Sequence, residues 1–224
     1  MDAGVPFSYG AWMNEAEPLI DTLPPLWRLA LAYAPAVTRG KWLTLLALDV
    51  RLAGVVRAAR EPILAQMRLA WWRDRLRDRA ANWPKGEPLL AAMACWGDEH
   101  GALIALVDGW EALLGDAPLS AETLAQWVEG RVSVCQAMAQ GDARAARMAR
   151  GWALADLATH LGHPDEVAAI AGQVTARDWR AERLPRGMRP LAILHGVAAR
   201  GRGDRDKGQK ISMLTLMRLG IFGI

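Results

Sequence analysis

The chain has 224 residues, of which 52% are apolar and 23% are charged. This composition is typical of a globular protein with a hydrophobic core, and it excludes a disordered or fibrous chain. Lysine and arginine number 27 against 24 aspartates and glutamates, an excess too small to indicate a nucleic-acid partner. The chain has 11 tryptophans but only 2 tyrosines and 2 phenylalanines. Because strand-forming residues are scarce, an all-β fold is not expected.

Apolar residues recur with helical spacing along almost the whole chain, which predicts an all-α protein. Prolines such as Pro62, Pro88 and Pro164 stand where helices are predicted to begin, a position that proline tolerates well. The predicted helices lie at about 25–34, 37–59, 62–82, 88–96, 98–114, 119–140, 142–162, 164–172 and 187–200, followed by an apolar segment at 211–219.

We expect one domain, because no repeat or low-complexity tract divides the chain. An N-terminal tail at 1–21 would precede a helical bundle at 22–200, a mobile basic loop at 201–210 and an apolar C-terminal helix at 211–224. That last helix most simply closes the core. The alternative is a segment that docks on a membrane or a partner, with the basic loop attracted to anionic lipid.

The location of the protein is predicted from its N-terminus and its uncharged runs. Residues 1–21 carry acidic side chains and lack a basic start followed by an apolar stretch, so no signal peptide is expected. The longest uncharged runs have about ten residues, half of what a membrane span needs. We therefore expect a cytoplasmic protein that touches the inner membrane from one side at most.

The predicted helix at 62–82 is apolar on two faces. One stripe contains Ile63, Met67, Ala70 and Trp71, and the other contains Leu69, Trp72 and Leu76. A helix that is apolar on two sides is normally packed between neighbours in a bundle. The pattern therefore predicts that both stripes are buried.

Residues 61–76 read Glu-Pro-Ile-Leu-Ala-Gln-Met-Arg-Leu-Ala-Trp-Trp-Arg-Asp-Arg-Leu. This stretch resembles the squalene/phytoene synthase family, in particular the divergent branch that includes the mitochondrial complex I assembly factor. The residues that carry the resemblance are Glu61, Pro62, Gln66, Arg68, Trp71, Trp72 and Asp74. Weaker similarity extends over about residues 22–200. It implies the single-domain, all-α bundle of the isoprenoid synthases.

Enzymes of that family ionise an allylic diphosphate, and the resemblance implies two aspartate motifs with D-x-x-x-D spacing on facing helices. This spacing places both carboxylates on one helix face, where they hold Mg²⁺ ions that bind the departing diphosphate. The corresponding positions in this chain hold Ala53, Gly54 and Arg57 in the first motif and Ala155, Ala158 and Gly162 in the second. Asp49 and Asp156 lie nearby, but each stands alone and a lone carboxylate holds Mg²⁺ poorly.

Asp74 and Asp78 have the D-x-x-x-D spacing, on a different helix from the motifs of the family. One interpretation is a relocated acidic pair that binds a metal ion. The other is a cluster of ion pairs, either with the flanking arginines or with Arg57 or Arg131 across the bundle. The alternation of arginine and aspartate in this stretch favours the second interpretation.

Other reactive side chains are interpreted as structural. Cys95 and Cys135 have no histidine or cysteine at ligand spacing, so two buried free thiols are expected. His160 and His163 stand at a predicted helix end. We predict no catalytic residue and no bound metal among these groups.

The resemblance and the vacant motifs together predict a catalytically degenerate protein, a pseudoenzyme without a cofactor. Its implied role is that of an assembly or chaperone-type factor with a respiratory complex I subunit as client, or of a prenyl-lipid-binding protein. A peripheral membrane contact through the C-terminus and no nucleic-acid partner are expected. The alternative is an active prenyltransferase of isoprenoid biosynthesis that condenses allylic diphosphates and needs Mg²⁺.

Overall fold

A computed structural model describes residues 18–201 of the chain. The prediction of an all-α protein is confirmed, since these residues contain no β-strand. The α-helices are α1 (Pro25–Ala32), α2 (Ala36–Arg57), α3 (Pro62–Arg77), α4 (Pro88–Ala92), α5 (Ile104–Ala112), α6 (Ala121–Met138), α7 (Ala143–Ala158), α8 (Pro164–Gln173) and α9 (Arg189–Gly201). The connections include 3₁₀ turns at Ala80–Asn82, Met93–Leu103, Ala176–Trp179 and Arg186–Met188.

Local sequence explains where the helices begin. Proline stands in the first turn of α1, α3, α4 and α8, where its missing N–H leaves no hydrogen bond unmade. Ser120 caps α6, because its Oγ accepts a hydrogen bond from the backbone N–H of Thr123 at 3.1 Å. Asp142 caps α7 in the same way through the backbone N–H of Arg144.

The predicted boundaries differ from the observed ones in three places. The helix predicted at 62–82 ends at Arg77, because Asp78 is extended. The segment predicted as helices 88–96 and 98–114 is interrupted at Gly97, whose positive φ of 55° a side chain would strain, and the residues of Met93–Leu103 on either side of Gly97 are 3₁₀ rather than α. Residues 18–21 are helical and Leu19 is buried, so the core begins before residue 22. The predicted C-terminal helix and residues 202–210 of the basic loop lie outside the described residues.

A single hydrophobic core joins all nine labelled helices. Helix α6 packs against α5 on one side and α7 on the other, and α9 packs against both α7 and α1. The side chain of Trp42 on α2 is fully buried, and its indole N–H donates to the carbonyl of Gly187 at 2.8 Å. This arrangement places the middle of α6 at the centre of the bundle.

One apolar stripe of α3 is exposed, so the prediction that both are buried was wrong. The stripe from Leu69 to Leu76 is buried in the core, whereas Ile63, Met67 and Trp71 face solvent. The periodic pattern identifies the apolar faces of a helix correctly. It does not determine whether a neighbouring helix covers them, and α3 has its neighbours α2 and α5 on the buried side.

One described segment, Pro88–Ala112, is long and apolar enough to cross a membrane by length and composition, with a mean hydropathy of 1.2. The segment is not a continuous helix, because Gly97 interrupts it between α4 and α5. Its side chains Leu90, Met93 and Val107 are fully buried in the core. Buried core segments of compact proteins also have this length and hydropathy, so the segment does not indicate where the protein is located.

Candidate functional site

The guanidinium of Arg131, on α6, is buried in the middle of the bundle with 3% of the side chain exposed. It lies between carboxylates from two other helices. Its Nε is 2.7 Å from Oδ2 of Asp49 on α2, and its Nη1 donates to Oδ2 of Asp156 on α7 at 2.6 Å. One cation therefore joins α2, α6 and α7.

Four tryptophans surround this ion triad. The guanidinium carbon of Arg131 lies 4.2 Å from the ring centre of Trp127, 4.7 Å from that of Trp152 and 5.4 Å from that of Trp27. These distances are typical of cation–π contacts, which gain strength when the cation is desolvated. The fourth indole, Trp110 on α5, donates its N–H to Oδ1 of Asp49 at 2.6 Å. We call the triad and its four tryptophans the Arg131 centre.

Burial and charge act in opposite directions on the groups of the Arg131 centre. Burial raises the pKa of Asp49, Arg131 counteracts this rise, and the negative charge of Asp156 adds to it. Burial alone would lower the pKa of Arg131, but Asp49 and Asp156 outweigh it and the pKa is raised. A buried charge is costly unless it is paired, so the triad holds together as a unit.

A groove of about 580 Å³ lies beside the Arg131 centre, between α1, α7, α8 and α9. Most of its lining is apolar, and the larger lining side chains include Trp27, Trp152, Ile170, Trp179, Leu194 and Val197. Asp156 is the charged residue of this lining, so one carboxylate belongs both to the groove and to the triad. The volume lies within the range of about 300–1,000 Å³ that is usual for small-molecule sites.

The six vacant motif positions do not line one common cavity. Ala155 and Ala158 line the groove, whereas Gly54 lines a different cavity of about 300 Å³ next to α3. The other three vacant positions line neither cavity. Ala53 is buried in α2, Arg57 is exposed at the end of α2, and Gly162 lies beyond the end of α7.

The predicted acidic pair on α3 lies on the surface. The side chain of Asp74 is 61% exposed and 3.9 Å from Arg77, and that of Asp78 is 40% exposed and 3.2 Å from Arg75. These are ion pairs between residues three apart in the chain, and neither aspartate contacts Arg57 or Arg131.

Most residues that carry the family resemblance are also at the surface. Trp72 is buried, whereas the others are exposed, namely Glu61, Pro62, Gln66, Arg68, Trp71 and Asp74. None of them lines the groove beside the Arg131 centre. The stretch that carries the resemblance is therefore a different part of the molecule from the candidate site.

The residues present do not fit the Mg²⁺ ions that the resemblance to prenyl-coupling enzymes implies. Asp49 and Asp156, which lie near the two motif positions, both direct an oxygen at the guanidinium of Arg131. Arg131 would repel a metal cation in that position, and it already occupies the carboxylate oxygens that the metal would need as ligands. Within residues 18–201, no group of three or more histidine, cysteine, aspartate or glutamate side chains is placed to hold a metal ion.

Sequence reasoning did not identify the Arg131 centre, although two signals for it exist. Arg131 lies four residues after Trp127 and four before Cys135, so it falls on the apolar stripe of α6. Asp49 is the one charge in the apolar run from Trp42 to Val50. A charged residue on an apolar stripe indicates a buried ion pair, but the sequence does not say which residues form it. Of the two cysteines predicted to be buried free thiols, Cys135 is free and buried, whereas Cys95 is free but only partly buried. Burial raises the pKa of Cys135 to about 12.

Comparison of the chain with protein-family models, curated proteins and solved structures finds no match. The resemblance to squalene/phytoene synthases therefore depends on the residues at Glu61–Leu76 and the weaker similarity around them. The isoprenoid-synthase fold, the pseudoenzyme character and the client are proposals on that basis.

Proposed function

We propose that this protein is a non-catalytic helical bundle of the isoprenoid-synthase type that binds a prenyl or other lipid chain in the groove beside Arg131. In the cell it acts as an assembly or chaperone-type factor, and the resemblance names a respiratory complex I subunit as its client. The observation that carries the proposal is the position of Arg131 between Asp49 and Asp156.

The position of Arg131 argues against ionisation of a diphosphate. That reaction needs positive charge that is free to bind the departing group, usually metal ions held by carboxylates. In this protein, the positive charge between the two carboxylates is the guanidinium of Arg131, which already forms ion pairs with both of them. Because this guanidinium is almost fully buried, a diphosphate in the groove would meet the carboxylate of Asp156 first.

The lining of the groove supports binding of an apolar chain. Indole and aliphatic side chains cover most of its wall. Burial of about 200 Å² of apolar ligand surface contributes about 5 kcal/mol before the entropic cost of association, at the usual coefficient. Asp156 would accept a hydrogen bond from a hydroxyl head group and repel a phosphate. We therefore expect a prenyl alcohol to bind more tightly than the corresponding diphosphate.

The proposal is tested with the purified full-length chain, farnesol and farnesyl diphosphate. Binding is followed by the fluorescence of the groove tryptophans, and released diphosphate is measured with and without Mg²⁺. Farnesol should bind saturably, and no Mg²⁺-dependent release should occur. Ala171→Phe, which narrows the groove, should weaken farnesol binding about five- to thirtyfold, since it displaces about 1–2 kcal/mol of apolar contact.

Ala143→Phe is the matched control, because Ala143 is an exposed helical alanine outside the groove. If farnesol binds both variants as tightly as it binds the wild type, the groove is not the binding site. Mg²⁺-dependent turnover that Asp74→Ala plus Asp78→Ala abolishes would establish the active prenyltransferase instead.

The assembly role has a separate test in the cell. Deletion of the gene should lower the amount of respiratory complex I and leave the carotenoid and hopanoid content unchanged. Loss of those isoprenoids with normal complex I would contradict the assembly role.

A further inference from the structure

The exposed apolar surface of this protein is concentrated on α3. Among the described residues, six large apolar side chains are strongly exposed, and four of these six are on α3. They are Ile63 (58%), Leu64 (49%), Met67 (64%) and Trp71 (39%), which together we call the α3 face. Scattered exposed apolar residues are ordinary, but a contiguous group marks an interaction surface.

The helix geometry makes the α3 face continuous. Ile63, Met67 and Trp71 are spaced four residues apart, so they form a row about 12 Å long on one side of the helix, and Leu64 lies beside it. The opposite side of α3, including Leu69, is buried in the core. The bundle therefore holds α3 with this row directed outward.

Arginines without ion-pair partners flank the α3 face. Arg57 ends α2, Arg60 lies in the connection to α3, and Arg68 follows Met67 on α3 itself. All three are exposed, and within the described part of the chain none has a salt bridge. The exposed carboxylates near them along the chain are Glu61 and Asp74, and Asp74 already pairs with Arg77. The three unpaired arginines therefore outnumber the one unpaired carboxylate next to the apolar row.

We infer that the α3 face docks on an anionic lipid bilayer, with α3 lying parallel to the membrane surface. The apolar row enters the boundary between head groups and acyl chains, and the ring of Trp71 lies at the depth that tryptophan favours. The alkyl stems of the arginines follow the row, and their guanidinium groups reach anionic head groups. A symmetric dimer through this face would instead bring the arginines of both copies together, which is unfavourable.

This inference is independent of the groove, because no α3 residue lines it. It also differs from the membrane contact predicted for residues 211–224, which uses another part of the chain.

The test measures sedimentation of the full-length chain with vesicles of phosphatidylcholine, alone or mixed with phosphatidylglycerol. The wild-type chain should bind the mixed vesicles more strongly. Ile63→Gln plus Met67→Gln should lower the partition coefficient about tenfold or more on both kinds of vesicle, because apolar surface is lost. Changing Arg57, Arg60 and Arg68 to Gln should lower it about fivefold per arginine on the mixed vesicles alone.

Matched controls are available elsewhere on the surface. Val37→Gln removes an apolar side chain that is 89% exposed and outside the α3 face. Changing Arg177, Arg180 and Arg183 to Gln removes the same charge from exposed positions on another part of the chain. Both controls should bind within about twofold of the wild type, since neither alters the α3 face or its flanking arginines.

Three results would overturn the inference. The first is that the wild-type chain fails to bind the mixed vesicles, and the second is that the Ile63/Met67 variant binds them as well as the wild type does. The third is a dimer of the wild-type chain, detected by sedimentation velocity, that the Ile63/Met67 variant no longer forms. If the Ile63/Met67 variant loses its thermal transition, the triple arginine variant decides the question on the same vesicles.

Discussion

Two pairs of aspartates in this protein differ in the opposite sense from what their spacing in the sequence suggests. Asp74 and Asp78 have the spacing of a metal-binding motif, yet they lie on the surface in ion pairs with neighbouring arginines. Asp49 and Asp156 are far apart in the chain, yet both contact the buried guanidinium of Arg131. A motif-like spacing brings side chains to one helix face, but the packing of helices determines whether that face meets water or the core.

The energetic consequences of the two pairs differ as well. Exposed ion pairs contribute about 0–1 kcal/mol, because water already solvates the separated charges. Removal of one partner from a buried pair leaves a desolvated charge and costs about 3–5 kcal/mol. Four predictions follow the same contrast between interior and surface, in order of decreasing effect.

Arg131→Met should destabilise the protein by about 3–5 kcal/mol, because it leaves Asp49 buried without a cation. The measurement is urea unfolding of the variant and the wild type. Arg77→Met, which removes a cation from the exposed Asp74, is the matched control and should change stability by less than about 0.5 kcal/mol. Equal effects of the two substitutions would abolish the distinction between the pairs.

Gly151→Ala should destabilise the protein by about 1–3 kcal/mol. Gly151 is on α7 with Asp156, and an added Cβ would lie 2.1 Å from the carbonyl oxygen of Asp178. The helix must then move away from the turn at Ala176–Trp179. A Cβ added at Gly54 would have no neighbouring atom within 4 Å, so Gly54→Ala should stabilise α2 by about 0.5–1 kcal/mol. Thermal unfolding of both variants checks the sign, and a stable Gly151→Ala protein would contradict the close packing.

Stability should fall as the pH decreases below about 6.5 because of His195. Burial lowers the pKa of His195, while its hydrogen bond to the carbonyl of Asp178 and the charges of Asp178 and Glu182 act in the other direction. Between this lowered pKa and the ordinary value of 6.5, the unfolded chain binds a proton that the folded chain does not. The contribution is therefore complete above pH 6.5 and is lost as the pH falls.

The difference in melting temperature between wild type and His195→Gln, measured across this range, isolates the contribution of His195. His160→Gln, at an exposed position, is the matched control for the substitution itself. If His195→Gln does not flatten the dependence of the melting temperature on pH, other groups cause that dependence.

Asp74→Asn plus Asp78→Asn should change the free energy of unfolding by less than about 0.5 kcal/mol. Asp74 and its partner Arg77 are exposed, and Asp78 and its partner Arg75 are partly exposed. Urea unfolding again provides the measurement. A loss of several kcal/mol would indicate that these aspartates have buried partners, and the comparison with the Arg131 centre would then fail.

Much of the fold was predictable because helices depend on local pattern. The apolar spacing and the prolines at Pro62, Pro88 and Pro164 located the helices, and most ends agree within a few residues. The break predicted between residues 96 and 98 coincides with Gly97, whose positive φ interrupts the helix. The disagreement is that Met93–Leu103 is 3₁₀ rather than α-helical, a difference in hydrogen bonding that apolar spacing does not record.

Less of the candidate site was predictable. The sequence marked Asp49 and Asp156 as isolated carboxylates, but it did not connect them to each other or to Arg131. The groove is built from four helices distant in the chain, so its volume and lining have no local signature. Likewise, the apolar pattern of α3 favoured burial of both stripes, but it does not specify whether a neighbouring helix covers each of them.

The sequence alone therefore determined the all-α class, the positions of the helices and the apolar faces of each, because these depend on residues a few positions apart. Only the tertiary structure decided which faces are covered, which charges are desolvated and which aspartates share a cation. Those properties depend on the distance between residues of different helices, and that distance is a property of the packed core.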